Sequence, residues 1–411
     1  MTATINQLTA TSTLELTDEF ECQLSAGGAS RKVTYANLFI KFGLIAISSA
    51  LSSVYFGTNA GLNDAANAAG SLTRNTFIGH GSGSANTSGS VCTGVGANTL
   101  LANTTGVENT AIGVQALLDN TTGSYNTAVG VSALLRTTGS QNTAVGLGAG
   151  AGASPGALSN SVAMGYFALH VVTTATNNTA IGHSALLSAT TGSGNTAVGR
   201  QAMNSLTTAS DNTAVGFAAL YSNQTGTRCT AIGTSALLSA TGNDNTAIGF
   251  ESAYTVSTGI DTVSIGRATL RSATTGSQNT AVGTQAGQLS GPGGNTTNRV
   301  ITGAQLTLIG AYAGLSVADT GITNATALGY AAKVGASNTV AIGDANVNVG
   351  IAQDTATARL HLPAGTATAS TAPLKLTSGT NLTTPENGAF EFDGTNLYFT
   401  SGGTRKTITM V

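Results

Sequence analysis

From about residue 75 to residue 343 one pattern of polar and apolar positions recurs. It is an alternating phrase, Asn-Thr-Ala-(Ile/Val)-Gly, followed by a short apolar piece and a polar turn. Asn126-Thr-Ala-Val-Gly-Val-Ser-Ala-Leu-Leu-Arg-Thr-Thr-Gly-Ser-Gln-Asn142 is a full copy. Clean phrases start at Asn109, Asn126, Asn142, Asn178, Asn195, Asn212, Asn245 and Asn279. Degenerate ones close at Gly79, Gly96, Gly165, Gly233, Gly266, Gly310, Gly329 and Gly343. The closing glycines step by 17, 17, 17, 16, 19, 17, 17, 17, 17, 16, 17, 17, 27, 19 and 14 residues. A short fixed period whose drift lies in the linker predicts a solenoid with one coil per repeat.

In the first segment the period of two puts Thr127 and Val129 on one side and Ala128 and Gly130 on the other. Ala133-Leu134-Leu135 predicts a second strand, because so few residues separate Gly130 from the turn that a helix would lack support. Gly139, with Thr137, Thr138 and Ser140 around it, closes the coil. The expected fold class is all-β, a parallel β-roll or β-solenoid of about 17-residue repeats. Coils stacked about 4.8 Å apart would align Asn over Asn as an amide ladder and Val over Ile as a narrow core. Ala and Gly would then form a smooth outer face, and three such faces could pack around one axis as a homotrimeric fibre, a number that the pattern alone does not fix.

Two stretches in the array resemble the head repeats of trimeric autotransporter adhesins. They are Ser161-Val-Ala-Met-Gly165-Tyr-Phe-Ala and Ala327-Leu-Gly-Tyr-Ala-Ala-Lys-Val-Gly-Ala-Ser-Asn-Thr-Val-Ala-Ile-Gly343. The resemblance covers roughly residues 70–345 and implies a trimeric β-roll, although most coils here carry about three extra residues in the turn.

The flanks differ from the array. At the N-terminus, Ile5–Leu14, Thr17–Phe20 and Gly27–Leu38 are similar to N-terminal segments of tailed-phage fibre proteins, which implies attachment to the particle. Gly27-Gly28 between polar-alternating runs predicts a hairpin, and Phe39 to Val54 a helix or an axis-packing segment. At the other end, Asn348–Leu362 and Ala372–Phe399 resemble C-terminal segments of phage and prophage tail fibres. Asp393-Gly394 there predicts a hairpin turn and Thr404–Met410 a last strand. The expected organisation is 1–57 for virion attachment, 58–347 for the repeat shaft and 348–411 for a β-rich cap or tip.

Composition narrows the chemistry. Only 8% of residues are charged, net charge is −2, Trp is absent and there are 54 Gly among 411 residues. There is too little charge for a disordered chain and no basic stripe for nucleic acid. The most apolar run, Leu38–Ile47, contains Lys41 and is too short for membrane insertion; the N-terminus has no signal-peptide pattern. Cys22, Cys92 and Cys229 have no metal spacing; the latter two occupy the Asn position of their repeats and read as small buried residues too far apart to bond.

No catalytic set stands out, and no cofactor or metal is expected. His80, His170, His183 and His361 are scattered. A glycoside-cleaving spike needs two carboxylates across one bond, for which Asp244 and Asp261, one coil apart with Glu251 between them, are the nearest approach. The irregularity at 284–305 is a solvated loop on a rigid scaffold, where binding often sits.

The resemblances therefore imply a non-enzymatic, homotrimeric fibre of a bacterial virus, located on the virion. One end would contact tail or capsid proteins and the other a host-surface glycan or protein. Tyr398, Arg405 and Lys406 are the candidate receptor-binding residues. The alternatives are a cell-surface adhesin head, a polysaccharide-cleaving tailspike and an ice-binding solenoid with Thr ladders.

Overall fold

The computed structural model describes residues 53–64, 73–153, 156–287, 302–316, 321–344, 383–385 and 387–409, together with the backbone of strands Glu19–Cys22, Arg31–Thr34, Ala46–Ser48, Val349–Gly350 and Leu360–His361. Two compact units divide at Ala341/Ile342. The described residues are all-β, and no helix among them is long and apolar enough to cross a membrane.

The first unit is a parallel β-solenoid of about 15 turns. Its first rung is Ser53–Phe56, which pairs in parallel with Thr76–Ile78, and each later strand pairs with its successor one coil on. Register keeps like over like: Thr196 pairs with Thr213, Ala197 with Ala214 and Val198 with Val215. The 27-residue step leaves the ladder intact, since Thr280 pairs with Thr307 and Val282 with Ile309. The inserted residues 288–301 lie outside the described residues.

The alternation is as predicted, but its faces are inverted. Asn126 and Ala128 are wholly buried, whereas Thr127 and Val129 point outward. Ala fills the inner strand position in most coils, packed against buried leucines such as Leu117, Leu134, Leu186 and Leu237. The reason is steric. A coil this narrow holds one small side chain opposite one leucine, and a β-branched residue there would overpack it.

One strand, not two, forms in the 17-residue coils. Ala133-Leu134-Leu135 is a run of turns whose backbone is left-handed at Ser132 (φ 56°) and Leu134 (φ 50°). Adjacent Ala133 and Leu134 thereby both point inward, which a strand would forbid. The turn amides bond between coils: Leu117 N–H donates to Ala133 O at 3.0 Å and Leu134 N–H to Ala149 O at 2.9 Å. Among the described residues a second strand appears only in the last coils, where Gly314–Leu315 pairs with Lys333–Val334.

The buried asparagines satisfy the tight turns. Asn195 Nδ2 donates to Ala209 O at 2.9 Å, and its Oδ1 accepts the Asn212 backbone N–H at 3.0 Å. The same bonds link Asn109, Asn126 and Asn142. A second amide column, Asn86, Asn103 and Asn120, bonds side chain to side chain at 2.8 and 3.0 Å. It stops at Thr137, and Asn120 Oδ1 is left buried without a partner. The strand-closing glycines need their residue type: at Gly182 φ is +134°, and a Cβ would sit 2.5 Å from Gly199 O.

At the N-terminal end Ala46–Ser48 pairs antiparallel with Ser53–Phe56 and covers the open edge of the first rung. This replaces the predicted helix over those residues, because Ile47, Val54 and Tyr55 are better strand than helix formers. Glu19–Cys22 pairs antiparallel with Arg31–Thr34, as the Gly27-Gly28 hairpin requires.

The second unit contains a three-stranded antiparallel sheet, Phe390–Phe392, Leu397–Ser401 and Thr404–Ile408. Asp393 Oδ1 accepts the N–H groups of Thr395 and Asn396 at 2.8 and 2.7 Å, forming the predicted turn.

Candidate functional site

Two surfaces are candidates for binding. The first is the outer face of the solenoid sheet. Inverting the alternation sends the Val/Ile position outward, so Ile112, Val145, Met164, Ile181, Val215, Ile232, Ile248 and Ile265 form a column, each about 40% exposed. Thr110, Thr127, Thr179 and Thr196 run beside it on the same face. Past the corner glycine lies a further exposed column: Leu147, Tyr166, His183, Arg200, Phe217, Phe250, Arg267. Its members stack along the rod. Tyr166 and His183 rings lie 5.0 Å apart, Arg200 sits 5.3 Å over the Phe217 ring and Arg267 6.0 Å over that of Phe250.

At the opposite corner, the residue before the Asn position forms a largely exposed column with left-handed backbone that includes Glu108, Tyr125, Gln141, Asp211, Arg228, Asp244, Asp261 and Gln278. Asp244 does not pair with Asp261. It binds Arg228 through two bonds of 2.6 and 2.8 Å, and that guanidinium holds its carboxyl below the usual carboxylate range. Glu251 is taken by Arg271 at 2.6 Å. The sequence-level pair of glycosidase carboxylates is therefore not assembled by these residues.

The histidines do not converge either. His170 packs 4.3 Å from Phe167, with Nδ1 2.9 Å from Gly148 O, and His183 belongs to the Tyr166 stack. Among the described residues no three metal-ligating side chains come together. Cys92 and Cys229 are free and buried in the Asn column. Each thiol contacts the turn carbonyl that an Asn amide would reach, Gly106 O at 3.4 Å and Gly242 O at 3.2 Å. Burial pushes the Cys92 thiol up to about 11 and raises that of Cys229.

The second surface is the C-terminal sheet. Register places Glu391 beside Tyr398, and Arg405 opposite Thr400, on one face. Arg405 grips Glu391 through bonds of 2.8 and 3.0 Å and lies 5.8 Å over the Tyr398 ring. Tyr398 OH donates to Asp393 Oδ2 at 2.8 Å; with the Asn396 and Thr395 N–H groups this lowers the Asp393 carboxyl, the Asn396 bond most. Lys406 pairs with Phe399 and so shares the other, apolar face with Phe390 and Leu397. Of the three sequence candidates the fold thus unites Tyr398 and Arg405, adds Glu391 and Asp393, and sets Lys406 apart. Alternation in Phe390-Glu-Phe would have flagged Glu391, but its pairing with Arg405 depends on register across three strands.

No protein-family model matches this chain, and no curated protein is similar to it at a significant level.

Proposed function

We propose that the chain is a non-enzymatic structural fibre of a bacterial virus, with the solenoid as the shaft of a homotrimer. One end of the shaft attaches to the virion and the other contacts the host surface. The observation that carries this reading is the outward Val/Ile column. Over about 15 turns at about 4.8 Å each it extends on the order of 70 Å. That is a larger continuous apolar patch than a soluble chain ordinarily leaves to water. Such a column is buried when copies of the chain meet around a common axis parallel to the rod. The viral assignment rests on the flanks that resemble tail-fibre ends. The Tyr398–Arg405 face of the C-terminal sheet supplies a ring and, at its edge, the exposed Asp393 carboxylate for contact with a host glycan or protein.

Light scattering on the purified chain tests the assembly, with an expected mass three times 40.4 kDa. Antibody labelling of virus particles tests the location. A monomer at micromolar concentration would sink the shared-axis shaft, and a trimer absent from particles would favour a cell-surface adhesin head.

A further inference from the structure

We infer that neighbouring shafts lie side by side in the same direction, with the ring-and-guanidinium column of one chain against the acidic column of the next. This rests on the multi-chain shaft proposed above and adds which edges meet and with what polarity.

The two columns border the same outward face. In chain order the coil presents the residue before Asn at one corner, then outward Thr and Val/Ile, then the residue after the closing glycine. Six residue steps separate the corner positions, so the bordered face is roughly 20 Å wide. With a length on the order of 70 Å it offers more than the about 800 Å² per partner of a standard stable interface.

Charge on the two borders is unequal. The column after the glycine carries Arg200 and Arg267 and, from His80 through Tyr330, no acidic residue. The column before the Asn carries Asp211, Asp244 and Asp261 in the same part of the rod. Asp244 is neutralised within the chain by Arg228. Asp211 and Asp261 make no ion pair with a described residue, and neither do Arg200 and Arg267. The two arginines lie over aromatic rings of adjacent coils, which holds their guanidinium groups along the rod.

Symmetry then selects the polarity. In any cyclic arrangement of parallel rods, the border after the glycine on one copy meets the border before the Asn on its neighbour. Arg267 then stands level with Asp261 of the next chain, and Arg200 one coil from Asp211. In an antiparallel pair, related by an axis across the rods, like borders meet, so Arg200 and Arg267 face a border that carries no acidic residue from His80 through Tyr330. Same-direction packing also sets every coil against its equivalent, so the apolar columns run together without offset.

The experiment is a charge swap read by concentration-dependent light scattering on the full chain. R267E and D261R each set like charges against each other and should raise the dissociation concentration. At about fivefold per contact the rise is on the order of a hundredfold over three contacts. The double variant R267E/D261R should return to within a few-fold of the parent. Circular dichroism checks that every variant keeps the solenoid. A parent chain that is monomeric overturns the shaft itself. If the parent trimer tolerates R267E and D261R without change, or the double variant fails to recover, the edge pairing is wrong while the trimer stands. An R267C/D261C double variant that stays trimeric yet forms no disulfide between chains would likewise overturn the edge pairing.

Discussion

Replacing Asn195 by alanine isolates what the interior amide column does. The backbone N–H of residue 195 keeps its bond to Asn178 Oδ1 in any variant. The alanine strands two other groups: Ala209 O, which receives Nδ2 at 2.9 Å, and the Asn212 N–H, which donates to Oδ1 at 3.0 Å. Both lie inside the buried interior of the coil, at about 1–3 kcal/mol per orphaned group; the expected cost is roughly 4 kcal/mol. Cysteine is the telling control. Cys92 and Cys229 already hold this position with the thiol on the turn carbonyl, so Asn195→Cys keeps a donor for Ala209 O, strands only the Asn212 N–H and should cost roughly 2 kcal/mol. Repeat arrays can open in sections, which makes a single unfolding midpoint a poor readout. Native-state hydrogen exchange at the Asn212 amide reads the site itself, and roughly 4 kcal/mol corresponds to nearly a thousandfold loss of protection. An alanine cost below about 1 kcal/mol, or equal costs for alanine and cysteine, would refute the reasoning.

Thr137→Asn should stabilise the solenoid by about 1 kcal/mol, because its amide would reach the unpartnered Asn120 Oδ1; urea unfolding measures it, and a destabilised variant would contradict the column's geometry. Cys92 and Cys229 should react with an aromatic disulfide reagent only after unfolding, whereas reaction at native rates would place them outside the core. Their raised thiols also set a pH dependence. The folded thiol stays protonated while the unfolded one ionises, so stability holds below about pH 8.5 and declines from there toward about 11 at Cys92. Cys92→Ser should flatten that decline in pH-dependent unfolding. In the C-terminal unit the lowered Asp393 carboxyl works in the opposite sense. Its contribution is present above about pH 4 and lost as pH falls through its lower folded value, and Asp393→Asn should remove the acid sensitivity seen by tyrosine fluorescence.

The repeat, its strand and its register were legible because they depend on local spacing. A fixed period locates one coil over the next, and Asn-Thr-Ala-Val-Gly alternates wherever it lies. The inward side was not legible from hydrophobicity, which favours Val and Ile for the core. Volume decides instead: a thin coil takes Ala, and an asparagine enters with it because the turn carbonyls need donors. The Ala-Leu-Leu piece misled for a related reason. Left-handed backbone at Ser132 and Leu134 is uncommon for such residues, and only the bonds from neighbouring coils make it favourable. At the C-terminal sheet the Asp-Gly turn was readable. The Glu391–Arg405 pair was not, since it joins strands that no local pattern connects.

That left-handed backbone has a consequence for how the molecule comes into being. Tyr125, Ser132 and Leu134 recur as equivalents in coil after coil, each costing a free chain on the order of 1 kcal/mol. A lone coil is therefore uphill and has no reason to hold its shape. It takes that shape only against a finished one, whose carbonyls and amides are already set out to receive it. The rod thus copies itself forward, each turn a mould for the next, and the Ala46–Ser48 strand on the first rung stands where the first mould is cast. That strand leaves the ribosome before any coil, so synthesis delivers the first rung and its cover ahead of the turns that stack on them.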